Sequence, residues 1–173
     1  MAMRPTLSRR SELSAAKLVP TLTTFILLVV AVLPLHVPDY AAVTPLFVLA
    51  AVYYWTIYRP ELLPPIVVFL GGIVLDMLTG TPLGVSSLLL LLARTVVETQ
   101  RRFFVNRLFP FVWGGFALLA AAAIDLLWLI GSLLDGVLLD MRAAALQWVL
   151  TVASFPAIGY LLMRLQRALI PAS

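Results

Sequence analysis

The chain has 173 residues, 62% of them hydrophobic and only 12% charged, with a net charge of +4. Soluble domains run at about 45–50% apolar and about 25% charged, and a core of this size cannot hide so much apolar surface, which excludes a soluble globular enzyme. The lack of cysteine excludes disulfides, thiolate metal sites, iron–sulfur clusters and a cysteine nucleophile, and the single histidine, His36, argues against a histidine-based metal cluster or a Ser-His-Asp triad.

A bilayer core takes about 20 apolar residues as a helix. Runs of that order lie between the charges at Leu18–Leu35, Ala41–Tyr58, Leu62–Leu78, Leu83–Val97, Leu108–Leu134 and Ala143–Met163. His36-Val37-Pro38-Asp39 turns the chain after the first, Arg59-Pro60-Glu61 after the second, and Thr79-Gly80-Thr81-Pro82 after the third. The expectation is an all-α membrane protein, a single bundle of six transmembrane helices over residues 18–163. A basic segment, residues 1–17, precedes it and a short tail, residues 164–173, follows. The first run is longer than a typical signal-peptide core and lacks a small-x-small cleavage site, so it reads as an uncleaved span. The fourth run is short and holds Arg94, which leaves a five-span alternative open.

Orientation follows from the placement of Lys and Arg. With the N-terminus cytoplasmic, Arg4, Arg9, Arg10, Lys17, Arg59, Arg94, Arg101, Arg102, Arg107, Arg164 and Arg167 fall inside, which leaves one of the twelve, Arg142, outside. Both termini are therefore expected in the cytoplasm. A pI near 10 arising this way points to a membrane surface, not to nucleic acid. Arg101, Arg102 and Arg107 form a basic inner surface that suits anionic lipids or a cytoplasmic partner, although positive-inside retention alone accounts for them. Tyr53, Tyr54, Trp55 and Tyr58, with Phe109, Phe111 and Trp113, sit at inner span ends, either as an interfacial belt or as rings packed within the bundle.

Two carboxylates lie inside apolar runs, Asp76 and Asp125. Each costs roughly 2.5–3.5 kcal/mol at membrane depth, so each is expected to face protein or water. Asp76 lies about 21 Å and Asp125 about 25 Å along runs of the same direction, a comparable depth at which they are expected to share one polar pocket. Gly72, Asp76 and Gly80 recur every four residues, and Gly114, Ala117, Ala121 and Asp125 form a similar stripe. Such stripes let membrane helices approach closely. Arg94 is expected to snorkel inward and pair with Glu98 one turn on. Ser86 and Ser87 have no base nearby, and neither a Gly-rich phosphate loop nor HExxH occurs. No catalytic residue, cofactor or metal is expected.

Tyr54-Trp55-x-x-x-Arg59-Pro60, then Phe69-Leu70-Gly71-Gly72-Ile73-Val74-Leu75-Asp76, then Thr79-Gly80-Thr81-Pro82-Leu83-Gly84 resemble the MreD family, small integral membrane components of the bacterial rod-shape machinery. The match spans about residues 45–100, and Gly72-x-x-x-Asp76-x-x-x-Gly80-x-x-x-Gly84 is its most distinctive run. The resemblance implies a non-enzymatic role in cell elongation and peptidoglycan synthesis at the cytoplasmic (inner) membrane. It implies as partners an MreC-type single-span periplasmic scaffold, MreB and a RodA–transpeptidase complex. It also implies a fold similar to the substrate-binding subunits of energy-coupling-factor transporters, which supplies the alternative of a small-molecule-binding membrane subunit. Gly72, Asp76, Gly80, Gly84 and Asp125 are the expected pocket or partner-binding residues.

Overall fold

The computed structural model describes residues 7–32, 45–105, 108–136 and 140–169. It contains six α-helices: α1 Leu7–Val32, α2 Phe47–Tyr58, α3 Pro65–Thr79, α4 Val85–Phe104, α5 Phe109–Asp135 and α6 Met141–Leu169. Each corresponds in order to one of the six apolar runs. The expected turn at His36–Asp39 lies outside the described residues, as does Arg107.

Helix lengths depart from six equal spans. Among the described residues, α5 and α6 alone combine the length and composition to cross a membrane, while Val19–Ala31, Phe47–Tyr58 and Pro65–Thr79 are shorter apolar stretches. Twelve residues of α2 measure about 18 Å, against roughly 30 Å of hydrocarbon. Its burial explains how so short a helix persists. Ten consecutive residues, Val48 to Ile57, are buried, so α2 is a central post surrounded by α1, α4, α5 and α6. A helix apolar all round is one with protein on every side.

Side-chain donors fix the helices against one another. Pro156 inside α6 cannot donate to the Val152 carbonyl, and the Trp113 Nε1–H of α5 donates to that same oxygen at 3.0 Å. Trp148 of α6 returns the favour through its Nε1–H to the Ala117 carbonyl at 2.9 Å. Trp55 Nε1 donates to Thr23 Oγ1 at 3.1 Å, tying α2 to α1. Between these, Phe116 and Phe155 stack at 4.2 Å, and Tyr53 meets both rings at 5.3 and 5.6 Å while its hydroxyl donates to the Val112 carbonyl. Of the two readings of the aromatics, ring packing holds for Tyr53, Tyr54 and Trp55, which are buried, whereas Phe109, Phe111 and Trp113 are exposed.

The α2–α3 corner is rich in proline, which removes donors and leaves carbonyls to satisfy. Two arginines of α4, seven residues apart on one face, supply them. Arg94 Nε donates to the Leu63 carbonyl at 3.3 Å, and Arg101 Nε donates to the Ile57 carbonyl at 2.7 Å. Arg94 also pairs with Glu98 at 2.7 Å, as the i,i+4 spacing led one to expect. Arg101 is thus committed to the C-terminus of α2, a favourable place for a cation. Of the two described residues of the expected basic inner surface, Arg101 and Arg102, it is Arg102 that stands exposed.

Candidate functional site

Asp76 lies one turn before the end of α3 and is completely buried. Its neighbours are set by the turn that follows. Gly80 caps α3 with φ +73° and Gly84 precedes α4 with φ +101°, left-handed conformations that glycine adopts without a Cβ penalty. Together they fold residues 80–84 back over the carboxylate. Asp76 Oδ1 then accepts from the Thr81 hydroxyl at 2.8 Å and from the Ser86 N–H at 3.0 Å, and Oδ2 accepts from the Gly84 N–H at 2.7 Å. Every partner donates, which suits an acceptor-only carboxylate.

The physical sense of this arrangement is a helix cap supplied from another helix. The first N–H groups of α4 have no intrahelical acceptor, and Gly84 cannot provide a side-chain cap. Asp76 accepts two of those N–H groups and places negative charge at the positive end of α4. One turn earlier, Gly72 lets α4 come close: a Cβ at Gly72 would fall on the Ser87 backbone. The Ser87 hydroxyl completes the contact by donating to the Phe69 carbonyl at 3.0 Å.

The expected glycine stripe therefore divides by role. Gly72 is a close-approach glycine, already occupied by α4, whereas Gly80 and Gly84 serve backbone conformation and have open space where a Cβ would stand. On α5 the close-approach residue is Gly115, which the small-residue stripe missed; a Cβ there would strike the ring of Phe104 and the hydroxyl of Tyr53. Gly114 has open space around it.

Asp76 and Asp125 do not share a pocket. Asp125 is exposed, and none of the bonds to the Asp76 carboxylate comes from α5. The reason is orientation: Phe116, Ala120, Ala123 and Ile124 take the buried face of α5, which leaves Gly114, Leu118, Ala122, Asp125, Leu129 and Leu133 along the outward one. A cavity of about 280 Å³ is lined by Leu75, Thr79, Thr81 and Ser86 from the α3–α4 end and also by Leu127 of α5 and Gln147 of α6. It is smaller than the roughly 300–1,000 Å³ of small-molecule sites, and its Thr81 and Ser86 already serve Asp76.

No curated protein and no solved structure matches the chain. A family model does, that of the rod shape-determining protein MreD, over residues 13–165. That stretch takes in the capped α3–α4 turn, the central α2 and the α5–α6 pair, and on it the chain belongs to the MreD family.

Proposed function

We propose that this chain is a non-enzymatic membrane scaffold of the cell-elongation machinery, and that it holds the transmembrane span of an MreC-type protein against the outward face of α5. Membership of a family that determines rod shape supports the general role. One observation supports the docking face: Asp125 stands exposed in the middle of an otherwise apolar stripe of α5. A carboxylate in hydrocarbon costs a few kcal/mol, and lipid tails offer it no donor. A partner helix with a hydroxyl, amide or basic side chain at that depth removes this cost, and the exposed Gly114 and Ala122 on the same stripe allow it to come near. In this reading the chain lies in the cytoplasmic membrane with both termini inside, and MreB and a RodA–transpeptidase pair join through the assembled complex. The alternative of a small-molecule-binding transporter subunit has against it that the 280 Å³ cavity is smaller than such sites.

The test is co-purification with a single-span MreC-type partner in detergent. Asp125→Leu should lose the partner and round the cells, while leaving the protein folded. Retention of the partner by Asp125→Leu would overturn the docking face. Alkaline phosphatase fusions check the orientation: activity at Thr81 and Asp135 with silence at Glu61 and Asn106 is expected, and activity at Asn106 would overturn the six-span topology.

A further inference from the structure

A cavity of about 660 Å³ lies at the opposite end of the molecule from the Asp76 turn, beneath the first turn of α5. It arises because α6 runs on for four turns past Phe155 while α5 begins only at Phe109, which stacks near Phe155 at 6.4 Å. The space so left between α2 and α6 has walls of Tyr54, Tyr58, Phe109, Phe155 and Met163, with Gly159 at its floor. Its rim is different in kind. Arg167 and Gln166 line it, and Arg164, one turn before Arg167, rests its guanidinium 5.2 Å over the ring of Tyr160, another lining residue. Gln166 Oε1 accepts the Tyr54 hydroxyl at 3.1 Å, which leaves the amide N–H groups to a ligand. Among the described residues neither Arg164 nor Arg167 has an ion pair, and no acidic side chain lines the cavity.

We infer that this cavity is a binding site for one anionic phospholipid, an acyl chain against the aromatic wall and the phosphate at Arg167, Gln166 and Arg164. Charge and shape both select this occupant. A basic rim over an apolar shaft is complementary to a molecule that is anionic at one end and hydrocarbon at the other, and in the orientation proposed above this end faces the cytoplasmic leaflet, where anionic lipids collect. None of the lining residues comes from α4, and the site stands whether or not α5 binds an MreC-type partner.

Native mass spectrometry of the full chain in detergent tests it, with phosphatidylglycerol and phosphatidylcholine of identical acyl chains as probes. One phosphatidylglycerol should be retained in preference to phosphatidylcholine. Each arginine near a headgroup is worth roughly fivefold in affinity, so Arg164→Gln with Arg167→Gln should weaken phosphatidylglycerol about 30-fold, to the level of phosphatidylcholine. Gly159→Leu should abolish single-site binding of both lipids. A Cβ at Gly159 meets open space, so the larger side chain fills the cavity without displacing a helix. Met163→Trp, one turn further along α6, should do the same and guards against a fold defect in the first variant. Equal retention of the two lipids by the wild type, or undiminished phosphatidylglycerol in both filling variants, would overturn the site. So would loss of the lipid in Arg102→Gln alone. The measurement is independent of orientation in the membrane and of any partner, so its outcome and that of the co-purification are read separately.

Discussion

Asp76 and Asp125 are two aspartates in two apolar helices, yet one is sealed in the protein and the other stands on its surface. The first is held by three donors within ten residues of it in sequence, two of them the backbone N–H groups that open α4. The second has its helix's apolar face turned inward and is left to whatever lies outside. The difference teaches that a charge in an apolar run has two separate meanings. One kind ends a helix and starts the next, and its energetics close within the chain. The other leaves a free-energy cost that only a second molecule removes.

The contrast is broken most directly by truncation. Asp76→Ala leaves the Gly84 and Ser86 N–H groups without an acceptor, each worth about 1–3 kcal/mol when buried, and costs the Thr81 hydroxyl its carboxylate partner. The variant should lose about 3 kcal/mol or more, read as a large fall in thermal unfolding temperature in detergent. A fall no larger than that of Asp125→Ala would erase the distinction. Next in size is Gly72→Ala, where the added methyl collides with the Ser87 backbone. Overpacking of this kind costs about 1–3 kcal/mol, and because it moves α4 away from Asp76 it should be less than additive with Asp76→Ala. Thr81→Val removes one of the three donors while keeping the shape, and a loss of about 1 kcal/mol is expected in the same melt. Asp125→Leu should shift the melt least, within about 0.5 kcal/mol, yet it is the one expected to release the partner.

How much of this could be read from the sequence follows the same division. The six helices and their turns are legible because apolar runs end at prolines, glycines and charges. The Asp76 turn is legible in outline because its members lie five, eight and ten residues apart. What the sequence withholds is which helices are neighbours. Gly115 packs on Phe104 and on Tyr53, the latter 62 residues away, and no local pattern announces that. Arg101 looks like a surface cation until the Ile57 carbonyl, 44 residues earlier, is found beneath it. The central place of α2 was hidden for the same reason, since a twelve-residue apolar stretch reads as a piece of a span.

The unequal helix lengths have a consequence for the lipid around the protein. On one flank α3 shows Ile66, Leu70 and Met77 outward over fifteen residues, about 22 Å of apolar height. On another, α5 offers the twenty-six residues of Phe109–Leu134, about 39 Å. A hydrocarbon layer of about 30 Å matches neither. It must thin beside α3 and thicken, or tilt the helix, beside α5, at fractions of a kcal/mol per ångström of mismatch. The bilayer bordering this protein is therefore deformed unevenly around its perimeter. A long neighbouring span relieves that deformation when it sits beside α5, so membrane elasticity favours the flank on which Asp125 already waits for a donor.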